Sequence, residues 1–125
     1  MYLVDTNILI YYFNNDIPEH SVDKIEEIFH HHFNISIITK MEFLGFGGHN
    51  EESFKQAKSF IVNANVIGLE EVISDRAVGI RRSHNIKLPD AIIAATAIEN
   101  ALVLVTRNID DFKNTSVELY NPFDI

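Results

Sequence analysis

No cysteine occurs in this 125-residue chain, which excludes disulfides and thiol chemistry and fits a reducing compartment. Basic residues are few, ten against eighteen acidic, for a net charge of −8. That excludes nucleic-acid binding by bulk electrostatics, which needs a basic patch. Any such binding must be local and metal-dependent, or be aided by a partner. Long apolar runs are missing too, and none approaches the roughly 18 residues of a membrane span. The longest, AIIAATAIENALVLV, is broken by Glu99 and Asn100. The N-terminal MYLVDTN lacks the basic region of a signal peptide. A cytoplasmic protein with no membrane association is expected. Internal repeats, linkers and low-complexity stretches are absent. So are the GxSxG and GxxxxGK[ST] motifs, which excludes a serine nucleophile elbow and a phosphate loop.

What is present is a hydrophobic content of 46%, enough for one compact core in a chain of this length. Short apolar runs alternate with segments of helical spacing. Met1 to Val4 predicts a buried strand, and Thr6 and Asn7 a cap for a helix through Phe13. A second helix follows Pro18, with Val22, Ile25, Ile28 and Phe29 at helical spacing. Asn34 to Ile38 predicts a second strand. Thr39 to Glu42 then has the form of a capping box opening a third helix. Glycines 45, 47 and 48 end it. A fourth helix is expected from about Glu51 to Ile61, and a strand at Val66 and Ile67. A fifth helix runs from Val72 to about Ser83, and a sixth follows Pro89. Further strands are expected at Leu102–Val105 and Val117–Tyr120, with a turn or short helix at Ile109–Phe112 between them. Such alternation implies an α/β fold, a parallel sheet of about five strands with helices on both faces.

Four acids fall where the apolar runs end: Asp5, Glu42, Asp90 and Asp111. In a parallel α/β sheet the strand C-termini converge on one crevice. Carboxylates crowded there repel one another and stay ionised only if cations neutralise them. Oxygen-only ligation suits Mg²⁺ or Mn²⁺, and two such ions would cancel all four charges. Each acid also has a local explanation. Asp5-Thr6-Asn7 is a good helix cap, Glu42 suits the capping box, and Asp90 compensates a helix dipole. These explanations place the acids on the same rim that the crevice requires. Asp110 and Asp111 are adjacent and cannot easily face one way, so one of them is surface charge.

Basic residues near these acids in sequence are Arg81, Arg82, Lys87 and Arg107. Arg82, Lys87 and Arg107 are candidate phosphate contacts, with solvated helix ends as the plainer reading. His30, His31 and His32 point about 100° apart on a helix and cannot share one ion. A solvated helix end is expected of them.

DTN after the first strand, Glu42 after the second, LPDAIIAATA and TRNIDDF together resemble the PIN domain, and more narrowly the VapC toxins of toxin–antitoxin modules. The resemblance runs from Asp5 to the closing strand and implies a single PIN-like domain over residues 1–125. It implies that Asp5, Glu42, Asp90 and Asp111 are catalytic and bind one or two Mg²⁺ or Mn²⁺ ions. Asp111 rather than Asp110 matches the family's acid before Phe. Thr6, Asn7, Thr106 and Asn108 would be supporting polar residues. It further implies an endoribonuclease acting on RNA, a small antitoxin partner and a homodimer. Two other readings share these residues. One is a PIN fold acting mainly within a complex, with little turnover of its own. The other is a phosphohydrolase for a small ester, although DTN lacks the second acid of a DxD motif.

Overall fold

The computed structural model describes residues 1–124. Five strands form one sheet: β1 (Tyr2–Val4), β2 (Asn34–Ser36), β3 (Asn65–Ile67), β4 (Val103–Val105) and β5 (Leu119–Tyr120). Their order is β3-β2-β1-β4-β5, and every neighbouring pair is parallel. The chain builds outward from β1 to β2 and β3, then returns to place β4 on the other side of β1. The order therefore reverses between β1 and β4, where an open parallel sheet forms its ligand crevice.

Six helices connect the strands: α1 (Thr6–Phe13), α2 (Glu19–His31), α3 (Ile37–Leu44), α4 (Glu51–Ile61), α5 (Glu71–Ser83) and α6 (Leu88–Glu99). Side chains alternate across the sheet. Leu3 and Leu104 face one core, shared with Ile73, Ala77 and Ile80 of α5 and the alanines and isoleucines of α6. Val4, Ile35 and Val105 face a second core, filled by α1, α2, α4 and Phe43 of α3. Residues Ala91 to Ala97 are all buried, so the small side chains of α6 let it pack closely on every side. The expected α/β architecture, with its five-stranded parallel sheet, is the one observed.

Two strand boundaries differ by two residues from expectation: the last strand begins at Leu119, not Val117, and the second ends early. The second strand stops at Ser36, not Ile38, and α3 begins at Ile37. Its cap is Ser36, whose Oγ accepts from the backbone N–H of Ile38 and Thr39 at 2.9 and 3.3 Å. Thr39 and Glu42 therefore do not form a capping box, and both side chains are free for tertiary contacts. A capping box does occur at α4, where Asn50 and Ser53 bond reciprocally. The glycine-rich turn after α3 folds Phe46 back over Gly48. A Cβ on Gly48 would lie 2.4 Å from that ring.

Candidate active site

Asp5 follows β1 directly and caps α1. Its Oδ1 accepts from the Thr6 backbone N–H at 2.8 Å. Its Oδ2 accepts from the Thr106 hydroxyl at 2.8 Å and the Asn7 amide at 3.0 Å. Thr106 follows β4, so the first of these bonds crosses the point where strand order reverses. Asn7 Nδ2 also lies 3.1 Å from Thr106 Oγ1, and the Asn108 backbone N–H donates to that hydroxyl at 3.0 Å. The Arg107 backbone N–H donates to Asn7 Oδ1 at 3.3 Å. DTN and TRN thus lock together as one polar knot at the sheet's C-terminal rim.

Glu42 reaches the same knot from α3. The Thr6 hydroxyl donates to its Oε1 at 2.7 Å, and the buried Thr39 hydroxyl lies 3.1 Å from the same Thr6 oxygen. Thr39 thus has a tertiary part in place of the capping part its sequence position suggests. Its position one helical turn before Glu42 was the available signal that the two share a face. Asp90 stands half-buried in the first turn of α6.

Burial pushes the Asp5 carboxyl up to about 6, against the opposing hydrogen bonds from Thr106 and Thr6. The charges of Asp90 and Glu42 raise it further. Asp90 is raised as well, first by burial, then by Asp111 and Glu42, while Lys87 opposes the rise. Each of the four acids therefore lies within electrostatic reach of another. Asp110 is exposed and pairs with Lys113 at 2.8 Å. Asp111 lies in the 3-10 turn Ile109–Phe112, anchored by the buried Phe112.

The basic candidates separate in space. Arg82 lines a groove on α5 with Leu69, Val78 and Leu88. Lys87 sits beside Asp90, just before α6. Arg107 opens onto a cleft shared with Asn108 and Asp111. His30 and His31 are exposed at the end of α2, and His32 packs edge-on against Tyr2.

A family model described as the PIN domain matches residues 2–118. The chain belongs to the PIN domain family. Among solved structures, a chain of a toxin–antitoxin complex from Klebsiella pneumoniae is 33% identical. The match covers all of both chains with a TM-score of 0.83. VapBC2 from Rickettsia felis, bound to a promoter DNA fragment, is 25% identical over 96% of this chain and 97% of that one, with a TM-score of 0.80. FitAcB from Neisseria gonorrhoeae shares the fold over the full length of both chains at 21% identity, with a TM-score of 0.84. Nothing among curated proteins matches. No helix among the described residues is long and apolar enough to cross a membrane.

The PIN crevice offers oxygen donors only, with a mutual repulsion that a cation would relieve. No three acids or histidines among the described residues are gathered closely enough to cage one ion. Oxygen donors of this kind suit a hard cation such as Mg²⁺, which takes one or two carboxylates and keeps several waters. Asp5 Oδ1 accepts a single hydrogen bond and retains a lone pair for it.

Proposed function

We propose that this PIN protein is a divalent-metal-dependent endoribonuclease, the toxin of a toxin–antitoxin pair. The observation that carries the reading is the Asp5 knot. A carboxyl 5% exposed, raised to about 6 and flanked by further acids, stands at the strand-order reversal of a PIN sheet. Folding gains nothing from such crowding, and strain of this kind clusters where function needs it.

A bound Mg²⁺ or Mn²⁺ would supply Lewis-acid polarisation of a phosphoryl oxygen and activation of water. The chain's own residues do the rest. Thr106 and Asn7 fix the Asp5 carboxylate, and Thr6 fixes Glu42. Asp90 and Asp111 complete the negative field on the side of α6 and the 3-10 turn. Asp5 and Asp90 would be the main ligands, and Glu42 and Asp111 would complete the site. A small antitoxin partner belongs to the same reading, supported by the toxin–antitoxin complexes among the similar structures; RNA as the substrate and a homodimer belong to it through the family resemblance alone.

The net charge of −8 favours a second reading, a PIN fold working mainly inside a complex. Incubating the partner-free protein with single-stranded RNA and with a small phosphate ester, with Mg²⁺ or with EDTA, separates the possibilities. Cleavage of RNA alone, with Mg²⁺ alone, is expected. Asp5→Asn and Asp90→Asn should each lower it at least a hundredfold. Intact RNA under all conditions would favour the second reading, and ester hydrolysis a phosphohydrolase.

A further inference from the structure

Arg107 lines a cleft that also holds Asp111, one of the four acids. That cleft, of about 510 Å³, is lined by Arg107, Asn108, Asp111, Asn121 and Asp124 among others. Its size suits a small ligand or one unit of a polymer. The guanidinium lies over two rings, 5.1 Å from the centre of Tyr11 and 4.8 Å from that of Phe123. Those rings meet edge to face, with centres 5.6 Å apart, and form a V-shaped seat. The seat is itself tied down, since the His20 ring lies 3.2 Å from the Phe123 carbonyl. Although Asp110, Asp111 and Asp124 share the cleft, none forms an ion pair with Arg107 among the described residues. Its backbone N–H donates to Asn7 Oδ1, and among the described residues its planar fork has no ion-pair partner.

We propose that Arg107, seated on Tyr11 and Phe123, binds a backbone phosphate of the RNA flanking the bond to be cut. This rests on the nuclease reading of the adjoining acids. A guanidinium fork matches two phosphate oxygens, and aromatic faces preorganise it. An acidic molecule must repel RNA at long range, so a local cation beside the acids answers the need that the net charge creates. Asp111 in the same cleft sets the direction: the strand enters past Arg107 and continues toward Asp5. Arg107 is thus a substrate-binding residue, and Tyr11 and Phe123 are positioning residues acting through it.

The test uses the full chain and a labelled single-stranded RNA, with binding measured by anisotropy in EDTA across a salt series. Cleavage kinetics are measured separately in Mg²⁺. Arg107→Ala is expected to weaken binding and raise KM about tenfold with kcat unchanged, the mark of a contact made equally in ground and transition states. The slope of log affinity against log salt should fall by roughly 0.7, which a merely structural role would not change. Arg107→Lys should restore the slope but not the full affinity. The double variant Tyr11→Leu/Phe123→Leu should raise KM about threefold and keep the slope. A wild-type slope and KM in Arg107→Ala would overturn the proposal, as would a fall in kcat with KM unchanged. If the wild type fails to cut RNA, the nuclease reading fails, while the EDTA series still decides whether Arg107 holds phosphate.

Discussion

Asp5 is both a helix cap and the most buried of the four acids, and the two roles pull its proton in opposite directions. Hydrogen bonds from Thr6 and Thr106 favour the carboxylate, whereas burial, Asp90 and Glu42 favour the acid and prevail. The folded carboxyl titrates at about 6, above its ordinary 3.8. Below 3.8 both folded and unfolded chains hold the proton, and nothing is lost. Between 3.8 and 6 the unfolded chain ionises first, so stability falls as pH rises. Above 6 the loss is complete, on the order of 3 kcal/mol. In EDTA, the stability of Asp5→Asn relative to wild type is therefore expected to grow between pH 4 and 6.5 and then level off. Urea melts across that range measure it, and a flat difference would mean that Asp5 does not carry the raised proton. Because Asp90 contributes to the rise, Asp90→Asn should lower the Asp5 midpoint, read from its carboxyl carbon signal by NMR. At Asp110 and Asp111 the sequence offered two acids for one role. The acid-before-Phe match in TRNIDDF favours Asp111, and the exposed pair of Asp110 with Lys113 agrees with a surface part for Asp110. Asp111→Asn is expected to lower RNA cleavage at least tenfold and Asp110→Asn less than twofold. The opposite order would transfer the role.

At the scale of elements, most boundaries were legible because caps and apolar periods agree. Pro89 sits in the first turn of α6, and α3 ends at Gly45, where a Cβ would meet the Met41 carbonyl oxygen. The exception is β2 to α3. Ile37 and Ile38 extend the apolar run of the strand, so its pattern does not change where the backbone does. The end of pairing with β1 and β3 decides the boundary, and that is tertiary information. Ser36 then takes the cap, and Thr39 is released to lie beneath Thr6. Removing this cap by Ser36→Ala is expected to cost about 1 kcal/mol, lowering the melting temperature by roughly 4 °C. Thr39→Ala should leave the cap intact, but it removes the neighbour of the Thr6 hydroxyl that holds Glu42. A contrasting case lies in α2, where the Ser21 hydroxyl is fully buried and, among the described residues, the only buried side-chain polar atom without a partner. Ser21→Ala is expected to melt no lower than wild type, since it removes a desolvated group that bonds to nothing.

For the whole molecule, alternation of strands and helices gave a parallel sheet, but strand order is not written in any local pattern. The order β3-β2-β1-β4-β5 puts the reversal between β1 and β4, and only this joins Asp5 to Thr106 across 101 positions of sequence. The candidate acids were legible without the order because each ends an apolar run, whichever neighbour that run acquires. What the order adds is a negative focus on a molecule already carrying −8. Such a focus should bind divalent cations far better than monovalent ones, and binding to the folded state alone stabilises by mass action. At pH 7.5, where Asp5 is ionised, MgCl₂ at a hundred times its Kd is expected to stabilise the wild type by roughly 2.7 kcal/mol. NaCl at equal ionic strength only screens repulsion, and should give a smaller rise shared by all variants. Asp90→Asn should melt no lower than wild type in EDTA, because it removes one repelling charge, and it should lose most of the Mg²⁺ increment. Calorimetric scans of both proteins in the three buffers measure these effects together. Equal rises in MgCl₂ and NaCl would reduce the acidic focus to general surface charge and remove the metal from the proposed reaction.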